Sequence, residues 1–202
     1  MKEKRGFTII EVVLVLGIAG LIFMMAFIAL PSLWASQRDA DRKANVMKFI
    51  SDVKTYQTNN SRGALPILTG NGPYIADVSS IPSAASGSWG EFIRDYVDGS
   101  YGNPSAGEKN FQDPDGVPYI FRVTNCVPAS GGGELATGQA CAYDGTFGAI
   151  NATGVPNSSV DHVIYVLVGA TCDGDQAVKT NSTRSVAAMQ VLERSGRYCY
   201  ST

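Results

Sequence analysis

The sequence predicts an α+β protein: a long N-terminal helix packed on a small antiparallel β-sheet. Three observations carry that prediction. Residues 12–30 hold no charged side chain, and ~20 apolar residues are what one membrane-spanning helix needs. Downstream, Val46, Phe49, Ile50, Val53 and Tyr56 recur at helical spacing on one face. After the turn Asp113-Pro114-Asp115-Gly116 the pattern changes to short β-branched and aromatic runs, which read as strands.

The helix is expected from about Phe7 to Asn60, with residues 7–34 as its membrane part and residues 35–60 as an amphipathic continuation. Arg38, Asp39, Asp41, Arg42 and Lys43 read as a solvated collar, and Arg38, Asp41, Arg42, Lys48 and Asp52 mark the polar side. Pro31 lacks an N–H and clashes with the preceding turn, so it predicts a kink or a loosened turn. Gly17 and Gly20 weaken the helix further up. Asn59-Asn60-Ser61-Arg62-Gly63, followed by Pro66, reads as the stop.

Residues 61–202 form the expected head. The Gly-, Ser-, Pro- and Asn-rich stretch 61–88 reads as a connecting loop. Trp89, Phe92, Ile93, Tyr96 and Val97 then recur as one face of a short helix, capped by Ser86 or Ser88 and ended by Gly99. That aromatic stripe reads as core. Residues 117–123 place Tyr119, Phe121 and Val123 on one strand face. Residues 160–168 contain V-I-Y-V-L-V, the continuous apolar run of a buried central strand. Residues 185–192 alternate poorly and fit helix or strand; we read them as a strand in a hairpin with residues 198–200, turning at Ser195-Gly196. The sheet should have three to five strands.

The chain of 202 residues has a formal net charge of −2. Lys2, Lys4 and Arg5 outweigh Glu3 by two charges, so the chain beyond residue 6 stands at −4. No basic block lies beyond residue 6, which argues against strong nonspecific nucleic-acid binding, and no specific nucleic-acid site is evident. A basic segment before the apolar run predicts a cytoplasmic N-terminus, with the remainder facing outward. Cys126, Cys141, Cys172 and Cys199 all fall in that outer part, where an even count favours disulfides. Three connectivities are open; Cys126–Cys141 with Cys172–Cys199 is preferred because each closes a short loop. The alternative is free buried thiols. Zinc is disfavoured, because no C-x-x-C pair is present and His162 is the one histidine.

An acid inside an apolar run is costly and calls for a partner or a function. Here the acid is Glu11, in K-R-G-F-T-I-I-E-V-V-L-V-L-G-I-A-G-L-I. This stretch resembles the class III leader and N-terminal helix of type IV pilins and pseudopilins. The resemblance rests on the basic leader, Gly6, Phe7, Thr8 and Glu11, and covers roughly the first thirty residues. It implies cleavage between Gly6 and Phe7 by a prepilin peptidase, then methylation of the Phe7 amine. It also implies that Glu11 pairs with the N-terminal amine of a neighbouring subunit. In such filaments a glycine and a proline bound a segment that melts on assembly, a role that would fall to Gly17 or Gly20 and Pro31. Pro31 lies three residues later than the usual proline, so the limits of that segment are not set by the resemblance. Close helix packing is the other reading of the two glycines. An ordinary secretory signal would have a shorter apolar core and an A-x-A-like site.

The expected function is therefore that of a type IV pilin subunit, a single-pass precursor in the cytoplasmic membrane that polymerises into an extracellular pilus for adhesion, twitching motility or DNA uptake. Its implied partners are other copies of itself, the prepilin peptidase, the membrane, and the assembly platform and motor. One alternative is a pseudopilin of a secretion or competence system, because D-P-D-G-V-P-Y resembles the D-P-x-G-x-P-Y turn of major pseudopilins. A minor pilin or adhesin with a ligand-binding head is the other. No G-x-S-x-G elbow, phosphate loop or dinucleotide fingerprint occurs, and no enzyme is predicted. His162 reads as structural. No cofactor is expected except calcium, for which Asp113 with Asp115, and Asp173 with Asp175, are candidates. Each pair is thin against the six to eight oxygens calcium takes.

Overall fold

A computed structural model describes residues 7–60, 63–68, 74–77, 86–97, 111–126, 135–141, 162–194 and 196–202. The leader with Gly6, the expected helix end at Gly99 and Ser195 lie outside the described residues. The chain divides into two compact units, Met1–Arg38 and Asp39–Thr202. Helix α1, Ile9–Asn59, contributes to both, with Pro31 inside it.

In the first unit, the large apolar side chains from Phe7 to Trp34 are exposed. The helix is long and apolar enough to cross a membrane. In the second unit, α1 behaves as an ordinary amphipathic helix. Val46, Phe49, Ile50 and Val53 have no exposed surface, because spacings of three and four keep them on one face. The helix ends where the Asn60 N–H and its side-chain amide both donate to the Tyr56 carbonyl, each at 3.0 Å.

The remaining elements are β1 (Tyr74–Asp77), α2 (Trp89–Phe92), β2 (Ile120–Asn125), β3 (Val163–Val168), β4 (Ala170–Asp173), β5 (Gln176–Lys179), β6 (Val186–Val191) and β7 (Arg197–Ser201). The Ser88 hydroxyl accepts from the Glu91 N–H at 3.3 Å, and the Glu91 carboxylate reaches back to the Gly87 N–H. Ser88 is thus the cap of α2. The helix continues as a π-helical turn over Ile93–Val97.

One sheet has the order β1-β2-β3-β6-β7, and β4-β5 form a separate ribbon. The expectation of an all-antiparallel sheet is corrected at β2 and β3, which pair in parallel. Parallel neighbours need a long crossover rather than a hairpin, and the chain between Asn125 and Val163 supplies it. β1 lies within the stretch read as loop, and the β4–β5 ribbon is an addition to the expected strands. β2 also starts three residues later than Val117. Pro118, which has no N–H to donate, lies ahead of the paired strand and forms only an isolated bridge with Gln112.

β3 is the central strand, and both its faces are covered. Ile164 and Val166 pack with α1, α2, Phe121 and Val123. Val163, Tyr165 and Leu167 pack with Ala170, Ala177 and the cysteines. Burial on both sides explains its unbroken apolar run. It explains equally why β6 does not alternate: Val186 and Ala188 belong to the first cluster, Ala187 and Met189 to the second. The β6–β7 hairpin is formed as expected, with Met189 opposite Cys199.

Candidate functional site

The start of α1 is built by its own sequence. The Thr8 N–H and hydroxyl both donate to Glu11 Oε2, at 2.9 and 2.8 Å. The Thr8 carbonyl accepts the Val12 N–H at 3.3 Å. Thr8 precedes the first helical residue, and Glu11 is the third helical residue. The T-x-x-E spacing places the carboxylate to accept the cap residue's N–H, half of a capping box. Glu11 therefore has a local role within one chain, and Phe7 beside it is 89% exposed. Gly17 and Gly20 face open space, since an added Cβ would meet nothing within 4 Å at either. Among the described residues they make no close packing contact.

A second constellation lies in the head, and sequence reasoning missed it. Arg42 and Asp39, expected on the solvated collar, are buried; Arg42 has no exposed surface. The correction follows from helical spacing. Asp39, Arg42 and Val46 are three and four residues apart, so they extend the apolar face one turn further back. That spacing was the available signal.

Arg42 donates from Nε to Asp113 Oδ2 at 2.7 Å and from Nη2 to Asp113 Oδ1 at 2.9 Å. Nη2 also reaches Asp115 Oδ2 at 3.2 Å, and Nη1 stands 2.9 Å from Glu193 and 3.7 Å from Asp39. His162 Nε2 lies 3.6 Å from Asp113 Oδ1 and 4.0 Å from Asp115 Oδ2. Asp39 in turn accepts the backbone N–H groups of Glu193 and Arg194, at 2.8 and 3.3 Å. The planar guanidinium matches the Asp113 carboxylate with two parallel bonds, the geometry that makes such pairs strong.

The turn itself presents Asp113. The Asp113 carbonyl accepts the Gly116 N–H at 2.7 Å, and Asp113 Oδ1 accepts the Asp115 N–H at 3.2 Å. Pro114 and Gly116 suit that turn, with Gly116 at φ 80°. The cluster gathers α1, the lead into β2, the lead into β3 and the residues after β6. Next to it, Tyr119 accepts from Asn45 at 3.1 Å and Gln190 at 3.4 Å. Burial pushes the Tyr119 hydroxyl up to about 12, so it stays a neutral part of the core.

Asp113, Asp115 and His162 bring candidate ligand atoms within 4.8 Å of one another. Both Asp113 oxygens and Asp115 Oδ2 already face the Arg42 cation, which stands where a metal would need negative charge. Asp173 ends β4, and Asp175 lies in the exposed β4–β5 turn after it. The four cysteines form Cys126–Cys141 and Cys172–Cys199, with Cα atoms 5.0 and 5.7 Å apart. The second ties the ribbon to the sheet.

No family model, curated protein or solved structure matches the chain.

Proposed function

We propose that this chain is a type IV pilin subunit. The observation that carries the reading is an acid, Glu11, in the first turn of an otherwise apolar helix whose side chains up to Trp34 find no cover within one chain. Cleavage after Gly6 removes the basic leader and leaves the Phe7 amine at the head of that helix. The peptidase, the membrane, and an assembly platform with its motor are the partners this route requires. Lateral stacking of the apolar helices moves them from lipid into an equally apolar filament core. A head-to-tail contact that does not close on itself propagates as a filament. Glu11, carried into that core, is stabilised by the amine of the neighbouring subunit, since an unpaired buried charge is costly. The mature location is then an extracellular pilus.

The capping role of Glu11 makes the test specific. Glutamine keeps an acceptor for the Thr8 N–H but has no charge. Under this reading Glu11→Gln leaves the helix intact and lowers filament yield at least ~10-fold, a loss of about 1.4 kcal/mol or more per pairing. Glu11→Val removes the cap acceptor as well as the charge, and should lower the yield at least as far. Filament yield in sheared fractions, compared with membrane-held subunit, reads the effect. Assembly of Glu11→Gln at the parent level would leave Glu11 as a helix cap and nothing more.

The pseudopilin reading draws on the turn that begins at the buried Asp113, whose D-P-D-G-V-P-Y sequence resembles the major pseudopilin turn. Long surface filaments at native expression argue for the pilin; short periplasmic assemblies argue for the pseudopilin.

A further inference from the structure

A cavity of about 510 Å³ opens between the end of α1 and the short helix after Ser88. Three aromatic rings line it. Tyr56 stands nearly perpendicular to Phe92 and Tyr96, with centroids 5.3 Å away in both cases. Phe92 and Tyr96 are themselves stacked at 5.5 Å and 24°. The three rings pack on one another and Phe92 is buried, so Tyr56 and Tyr96 supply the ring surface that a seated group can reach. Glu91 and Asp95 add two carboxylates to the lining, beside Asn60, Ser86 and Gly87. Arg94 binds Asp95 at 2.6 and 3.2 Å and approaches Glu91 at 3.9 Å. Among the described residues, two carboxylates against one guanidinium leave one net negative charge beside the rings.

We infer that this cavity binds an organic ammonium group, with choline-type quaternary ammonium as the ligand class. Ring faces carry a negative quadrupole that attracts cations, and ring-lined pockets suit methylated ammonium groups, whose charge is spread over an apolar surface. The adjacent net negative charge adds to that attraction. The same field acts on Tyr56, whose hydroxyl is pushed up first by burial and next by the Glu91 charge. Tyr96 is the accessible wall, 37% exposed, and it lies on the stripe that sequence periodicity assigns wholly to the core. The site does not depend on filament assembly. A free choline-like solute and the headgroup of a choline lipid share this chemistry.

Calorimetric titration of the full chain in dodecyl maltoside separates these sources. The probes are choline, glycerophosphocholine and 3,3-dimethylbutanol, an uncharged molecule of choline's shape. Saturable binding of choline or glycerophosphocholine is expected, with the uncharged probe at least ~10-fold weaker. The tighter of the two charged probes identifies the source. Tyr96→Ala should weaken binding roughly fivefold or more, while Tyr96→Phe, which keeps the ring, stays within about twofold. Near-UV circular dichroism checks that both variants are folded. The inference is overturned if neither charged probe saturates, if the uncharged probe binds equally well, or if Tyr96→Ala binds like the parent.

Discussion

Arg42→Ala lowers the stability of the head by about 3–5 kcal/mol, the range for removing one partner of a buried ion pair. The side chains of Arg42 and Asp113 are both fully buried. Truncating the arginine leaves the Asp113 carboxylate without its two-pronged partner in a place water does not reach. Asp115 is 43% exposed, so its bond to Arg42 is screened and contributes little. Glu193, at 20%, falls between. Most of the loss therefore comes from Asp113, and Asp115→Ala should cost less than about 1 kcal/mol. Arg42→Lys keeps the charge but not the fork, and should fall between parent and alanine. Urea unfolding followed through Trp89, which is buried against Phe49 and Phe92, reads all three. An Arg42→Ala change below about 1 kcal/mol would contradict the assigned role.

Reduction of both disulfides has the next largest effect. Cys126–Cys141 closes a separation of 15 residues and Cys172–Cys199 one of 27. Loop-closure entropy assigns them about 3 and about 3.5 kcal/mol, roughly 6.5 together. Whole domains are stable by about 5–15 kcal/mol, so the reduced head stands near its unfolding threshold. The two bonds also differ in what they hold. Cys172–Cys199 fastens β4 to β7, and Cys126–Cys141 ties the end of β2 to the segment bridging β5 at Ala140 and Val178. Losing either should loosen the ribbon before the helix-facing core. Denaturation midpoints with and without reductant, with Cys172→Ser/Cys199→Ser as the single-bond control, measure this. An unchanged midpoint would contradict the account.

What was legible in the sequence was mostly local. The helix span, its face from Val46 to Val53, the Ser88 cap, the central strand and the final hairpin follow from spacing within a few residues. The disulfide pairing was legible for the same reason, since short loops favour it. The partners of β2 were not. Its parallel neighbour is set by a long crossover and its antiparallel one by a strand in a stretch rich in turn formers; neither leaves a period in the sequence. Arg42 was misread because residue type was weighed above position. It lies on the same helical face as Val46, and its partner Asp113 is 71 residues away. His162 reads as structural in the sequence, which does not show the Asp113 and Asp115 carboxylates beside it.

In the proposed function, the helix beginning at Ile9 first anchors a precursor and then forms a filament core. Mass spectrometry of the N-terminal peptide, taken from filaments located by electron microscopy, tests it most directly. Surface filaments whose subunit begins at a methylated Phe7 are expected. Protein that retains Met1 to Gly6, with no filament containing it, would contradict the proposed function.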